Sequence, residues 1–223
     1  ALGPWIEEVL FYVGDAYFEL DRLEEAEEIL ASIEPDPENR GLTAAIYQRR
    51  FTIAQRQNRE VRPILQEAEE RLAGEVGVLQ EFWLQVGLER YREGSRDLAE
   101  FYFRRVWDLR GRTDISGAAP LYLSRILVNE GQPEDAREIL QEAVSLRLEP
   151  RDEITLALAG LYVESGSYAE AQPLLEELLM REIEKEPEVR YRLAFVYYQR
   201  GRTQEALELI EETFSQGLAG GQT

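Results

Sequence analysis

The sequence contains no cysteine and no histidine, and Lys185 is its only lysine. Without cysteine there are no disulfides and no thiolate metal sites. Without histidine the commonest general base and the commonest metal ligand are both missing. No apolar run approaches the ~18 residues that a membrane-spanning helix needs. No basic segment leads into an apolar one, so no signal peptide is visible, although the chain begins at Ala1, as a processed or excised segment would. There is no phosphate-cradling glycine loop, no G-x-S-x-G and no zinc spacing. Nothing alternates with period two over a useful length, so no sheet is predicted. These absences point away from an enzyme and from any cofactor.

What is present is a globular composition, with 44% hydrophobic and 31% charged residues in a chain of 223. The net charge of −19 argues against nucleic acid or an anionic membrane as partner. The charge is uneven. Residues 1–40 hold 12 acids against 2 bases, whereas residues 41–112 hold 11 acids against 13 arginines. Residues 113–150 hold 7 acids against 3 bases, and residues 151–223 hold 14 against 7.

One phrase recurs: LVNEGQPEDAREILQE, then YVESGSYAEAQPLLEE, then YYQRGRTQEALELIEE. Its central alanines, Ala136, Ala171 and Ala206, are 35 residues apart, and a glycine stands five residues before each: Gly131, Gly166 and Gly201. Four residues before the glycine stands Leu127, Tyr162 or Tyr197. The same frame fits Tyr17, Asp21 and Ala26 near the start, and Arg90, Gly94 and Ala99 in the middle. The interval from Ala26 to Ala99 is 73 residues, room for two units, so a degenerate copy is expected between them, over LTAAIYQRRFTIAQRQN and REVRPILQEAEERLAG. Each unit reads as two helices. In the last, Leu193, Ala194 and Tyr197 recur at helical spacing, Gly201 stops the first helix, and Ala206, Leu209, Ile210 and Phe214 share a face of the second. Prolines fall at helix boundaries (Pro35, Pro37, Pro120, Pro133, Pro150, Pro187) or in first turns (Pro63, Pro173).

This pattern resembles the tetratricopeptide repeat family of helix–turn–helix units of about 34 residues. The residues that carry the resemblance are Gly14, Tyr17, Ala26 and Leu30 in the first unit, and Trp83, Gly87, Ala99 and Phe103 in the third. They continue as Ser124, Leu127, Gly131, Ala136 and Leu140, then Ala159, Tyr162, Gly166, Ala171 and Leu175, then Ala194, Tyr197, Gly201, Ala206 and Ile210. The second unit lacks the motif glycine and alanine, which leaves its register open. The resemblance implies an all-α, right-handed superhelical solenoid of six units in a single domain. The units run approximately over 5–37, 38–75, 77–112, 114–149, 151–185 and 187–217, with a flexible tail at 218–223.

The resemblance also implies a concave face lined by the first helix of each unit, and hence a protein-interaction scaffold that binds a peptide or helix of a partner protein. In the family's frame that face carries Phe11, Asp15 and Phe18; Arg49, Ile53 and Arg56; and Leu84, Leu88 and Tyr91. It continues with Leu121, Arg125 and Val128; Leu156, Gly160 and Val163; and Tyr191, Phe195 and Tyr198. Such a face is aromatic and apolar with arginines at intervals, the composition of interface hot spots. Against this stands the plain reading that aromatics at helical spacing are core. None of the pairs at the relevant positions reproduces the Lys/Asn clamp with which chaperone-binding members hold a terminal carboxylate. RNA-binding helical repeats of similar length are basic, and this chain is acidic.

The acid runs at 23–30, 174–186 and 210–213 read as solvated helix faces paired with arginine, not as metal sites. Lys185 lies in a charged linker with no apolar pocket to activate it. The arginines of the middle third (Arg49, Arg50, Arg56, Arg59, Arg62, Arg90, Arg92, Arg96, Arg104, Arg105, Arg110 and Arg112) pair with the acidic repeats or receive an acidic partner. No polar capping helix is visible at either end. The expectation is therefore a piece of a longer array, or a terminus packed on another subunit. A homo-oligomer or self-stacking structural module is the alternative to the scaffold, and a small hydrophobic ligand in the groove is a third reading. The compartment stays open between bacterial cytoplasm and periplasm.

Overall fold

The structure, a computed structural model, describes residues 5–34, 39–74, 76–109, 116–181 and 186–220. Among these residues there are twelve helices and no strand. They come in pairs: α1 (Trp5–Glu19) with α2 (Leu23–Ala31), α3 (Arg40–Arg56) with α4 (Arg62–Arg71), and α5 (Val76–Arg92) with α6 (Arg96–Trp107). Then come α7 (Ala118–Asn129) with α8 (Pro133–Ser145), α9 (Arg151–Glu164) with α10 (Tyr168–Met180), and α11 (Glu186–Gln199) with α12 (Thr203–Gly220). The chain divides into two compact units, residues 1–115 and 116–223. The fold is an all-α repeat fold. The tail expected at 218–223 is helical as far as Gly220, and residues 221–223 lie outside the described ones, as do Pro35, Pro37, Lys185, Arg110 and Arg112.

The turn inside each pair is built the same way six times. The first helix ends at a residue with positive φ: Asp21, Asn58, Gly94, Gly131, Gly166 and Gly201. The amide that follows donates back to the carbonyl five residues earlier, as in Arg22 N to Tyr17 O at 2.9 Å and Arg202 N to Tyr197 O at 2.8 Å. This closes the helix with a left-handed residue that satisfies otherwise orphaned carbonyls. In the second pair the bond runs from Arg59 N to Ala54 O at 2.7 Å, so Asn58 occupies the glycine position and the register left open by the sequence is settled. Asparagine and aspartate tolerate the left-handed region better than other residues with a Cβ, which is why Asn58 and Asp21 replace glycine there.

Close packing within pairs needs the small residues of the frame. A Cβ on Gly14 would sit 2.7 Å from Leu30 Cγ, and one on Gly87 would sit 2.8 Å from Phe103 Cε1. The second pair inverts this arrangement. Phe51 stands where the other first helices carry a small residue, and Ala54 stands where most carry a larger one; both are buried. Its second helix answers with Ile64 and Ala68, and Leu72 follows at the helix end; all three are buried. Pro63 sits in the first turn of α4 and Pro133 opens α8, as expected, but Pro173, expected in a first turn, is one turn further into α10. In the second compact unit the core runs through Leu156 and Ala159 of α9, Ala171, Leu175 and Leu178 of α10, and Val189, Leu193 and Val196 of α11. Burial of each such aliphatic side chain stabilises by roughly 1.5–3 kcal/mol before entropy is set against it.

Candidate functional site

α11 reads RYRLAFVYYQ over residues 190–199, apolar on more than one face. Val189, Leu193 and Val196 turn into the core with α9 and α10. Tyr191, Phe195 and Tyr198 fall on a different stripe at helical spacing and stay 67%, 37% and 61% exposed. Together with Ala194 they form one wall of an open groove, and α12 supplies the other from Thr203, Ala206, Leu207 and Ile210. The groove holds about 340 Å³ and is almost wholly apolar. Phe195 is braced from behind, its ring meeting Tyr168 of α10 edge-on at 6.0 Å. Phe214 lies further along α12 and is also exposed.

The α12 wall escaped the sequence reading, which looked only at first helices. The signal was available: two residues of this wall lie 35 positions after core residues of the preceding pair, Ala206 after Ala171 and Ile210 after Leu175.

The other positions expected on an open face are placed differently. Phe18, Ile53, Leu84, Leu121 and Leu156 are buried and belong to the packing between helices, so they line no surface. Leu121 and Leu156 lie on α7 and α9, each followed by a further first helix in the same unit. With Asn58 at the glycine position, Ile53 takes the place of the core residue Val196, and the stripe of α3 falls on Gln48, Thr52 and Gln55 rather than on Arg49, Ile53 and Arg56. Leu88, Tyr91 and Val128 are half-buried. Arg125 is exposed, its guanidinium 5.2 Å from the Tyr122 ring.

In the first compact unit, Phe11, Asp15, Phe18, Arg49 and Arg56 do come together. Arg49 and Arg56 stack on the Phe18 ring at 4.1 and 4.2 Å, Arg49 pairs with Asp15, and Arg56 lies 3.8 Å from Asp21. Phe11 and Arg49 line a cavity of about 170 Å³ with Ala45, Gln48, Thr52 and Glu89. This cavity is largely polar, and Thr52 already donates its hydroxyl toward Glu89 at 3.0 Å. Other arginines of the middle third are likewise engaged within the chain. Arg50 bridges Glu27 and Glu67 at 3.2 and 3.3 Å, Arg90 holds Glu93 at 2.7 Å, and Arg105 pairs with Glu69 while stacking 4.1 Å over Trp83. These pairs favour internal neutralisation over an acidic partner at those residues. Among the described residues no group of three or more acids is placed to hold a metal ion, and no helix is long and apolar enough to cross a membrane.

Neighbouring pairs are also tied by polar contacts. The Tyr197 hydroxyl donates to Glu176 Oε1 at 2.9 Å, and Arg202 stacks on the Tyr197 ring at 4.2 Å while lying 3.9 Å from the same oxygen. Burial, then the hydrogen bond to Glu176, push the Tyr197 pKa above the usual phenol value.

Residues 162–217 match the sequence profile described as tetratricopeptide repeat. No curated protein matches the chain. Among solved structures, BtubC (BKLC) from P. vanneervenii is similar over 97% of this chain and 93% of its own, with a TM-score of 0.61 and 15% identity. A MamA structure matches over 78% of this chain and 92% of its own, with a TM-score of 0.57 and 16% identity. MamA AMB-1 matches over 62% of this chain and 73% of its own, with a TM-score of 0.50 and 21% identity. At these identities the likeness is one of fold.

Proposed function

We propose, from the tetratricopeptide repeats that the chain carries, that it is a non-enzymatic protein-interaction scaffold and that the groove between α11 and α12 takes an amphipathic helix of a protein. The observation that carries this reading is the accessibility of Tyr191, Phe195 and Tyr198 in one apolar groove with Leu207 and Ile210. A contiguous exposed apolar patch marks an interaction surface more often than a scattered one does. Tyrosine and phenylalanine supply large contact area at low conformational cost. The mode is a helix laid into a groove, read by anchors one turn apart.

The test is a pull-down with the wild-type chain against a Tyr191→Ala/Phe195→Ala/Tyr198→Ala variant of confirmed helicity. A protein retained by the first and lost by the second supports the reading. Phe195→Ala alone should cost less stability than the ~3–5 kcal/mol of a core phenylalanine truncation. A loss of that full size would make Phe195 a packing residue and remove it from the groove.

A further inference from the structure

The chain contains its own example of what such a groove accepts. α11 lies on α9 and α10, burying Val189, Leu193 and Val196 against Leu156, Ala159, Ala171 and Leu175. Moving those four residues forward by 35 positions gives Tyr191, Ala194, Ala206 and Ile210, all four lining the open groove. The groove therefore continues, one repeat further on, the surface on which α11 itself is held.

The complementary face exists on α1. In the repeat frame α1 lies 180 positions before α11, and Val189, Leu193 and Val196 correspond to Val9, Val13 and Ala16. In α11 these positions are buried, whereas in α1 Val9 is 58% exposed, Val13 38% exposed, and Ala16 is exposed too. Trp5 and Tyr12 extend the same uncovered face.

The polar contacts repeat with the apolar ones. Glu176 of α10 is held by Tyr197 and Arg202, and Arg202 also pairs with Glu205. Their counterparts in the first pair are Tyr17, Arg22 and Glu25, built alike: Arg22 stacks 4.5 Å over Tyr17 and pairs with Glu25 at 2.6 Å. The Tyr17 hydroxyl has no hydrogen bond among the described residues. The counterpart of Glu176 is Glu211 on α12, exposed and without hydrogen bond or ion pair among the described residues. One face thus carries a tyrosine–arginine pair lacking its carboxylate, and the other a carboxylate lacking its tyrosine–arginine pair.

We propose that the α11/α12 groove seats α1 of a second copy of this chain, in the register that α11 holds on α9 and α10, with Tyr17 and Arg22 of that copy meeting Glu211. This rests on the reading of the groove as a helix-binding surface and names its occupant. The contact is head-to-tail, so nothing in it limits the assembly to two copies.

The experiment is analytical ultracentrifugation of the full chain across concentration. The wild-type chain should grow in mass beyond a dimer as concentration rises. Val13→Asp blocks the α1 face and Leu207→Asp blocks the groove, both at exposed positions. Each variant should be monomeric alone, and the two mixed should form a one-to-one complex, since each keeps the face the other lacks. Circular dichroism checks that both remain helical, and Tyr198→Asp replaces Leu207→Asp if the latter does not. Glu211→Arg should weaken association about two- to fivefold, the scale of an exposed charge pair, and Arg22→Glu in the opposing copy should restore it. A wild-type chain that stays monomeric, a Val13→Asp variant that still associates alone, or a mixture that forms no complex would overturn the proposal, and absence of rescue overturns the register. If the chain is monomeric but groove-dependent capture of another protein persists, only the occupant is wrong. If both fail, the groove is not a helix-binding surface.

Discussion

The Tyr197 hydroxyl and Glu176 Oε1 lie 2.9 Å apart across the boundary between consecutive helical pairs. A link at the equivalent positions recurs 35 residues earlier with its direction reversed, Gln141 Nε2 donating to the Tyr162 hydroxyl. An apolar stripe sets how far apart two helices lie but leaves their sliding along one another weakly determined. A hydroxyl that reaches one particular side chain on the neighbouring pair fixes that sliding. Repeat stability is a sum of unit and nearest-neighbour terms, and this contact belongs to the second kind.

Tyr197→Phe should therefore weaken the α10–α11 boundary by about 1 kcal/mol, the net worth of a partly buried hydrogen bond. Urea denaturation of the single variant, of Glu176→Gln and of the double variant forms a cycle that isolates the pair. A coupling near zero would mean that the hydroxyl is equally well satisfied by water.

Most of the fold was legible because five pairs repeat one frame. Gly14 and Gly87 are demanded by the close approach of Leu30 and Phe103, Ser124, Ala159 and Ala194 stand at the same frame position, and the turn position is marked by its positive φ. The second pair hid its register because it satisfies the same contacts with the sizes exchanged, Phe51 for the small residue and Ala54 for the large one. The site was only half legible. Frame positions that look alike in sequence, such as Leu121, Leu156 and Tyr191, differ in exposure because a first helix follows two of them and none follows the third among the described residues. Burial here depends on what lies next along the array, and that information is not in the local pattern.

Gly87 should not accept a methyl group. Its added Cβ would meet the Phe103 ring at 2.8 Å, and Phe103 is fully buried with no room to retreat. Gly87→Ala should destabilise by about 1–3 kcal/mol through overpacking. The fifth pair carries a Cβ at this position, Ala159, with Leu175 in the place of Phe103, so Phe103→Leu in the Gly87→Ala background should recover part of the loss. Thermal unfolding of the three variants checks this, and an additive effect of the two substitutions would contradict it.

Asn58 has φ of 52° and ends α3 where four other pairs use glycine. Asn58→Gly should be neutral or slightly stabilising, because glycine has no Cβ to strain there. Asn58→Val should cost roughly 1–2 kcal/mol, since a β-branched residue is disfavoured in that region. Urea midpoints of the two variants should therefore fall on opposite sides of, or at, the wild-type value. If valine were tolerated, the turn would be set by something other than the left-handed residue.

Alkaline pH provides a test of two buried phenols. Tyr47 is 3% exposed and donates its hydroxyl to Glu67 Oε1 at 2.8 Å. Burial first, and the carboxylate second, push its pKa up to about 12, and burial raises Tyr102 to about 12 as well. An unfolded tyrosine titrates near ~10. The folded chain thus keeps these protons over an interval in which the unfolded chain loses them. The stability they contribute is complete below about pH 10 and declines as pH rises toward about 12, by at most about 1.4 kcal/mol per pH unit for each group. The urea midpoint should fall across that interval. Tyr47→Phe and Tyr102→Phe should each flatten the decline, because phenylalanine has no proton to lose, and the double variant should flatten it further. An unchanged slope in both single variants would place the alkaline loss on other groups.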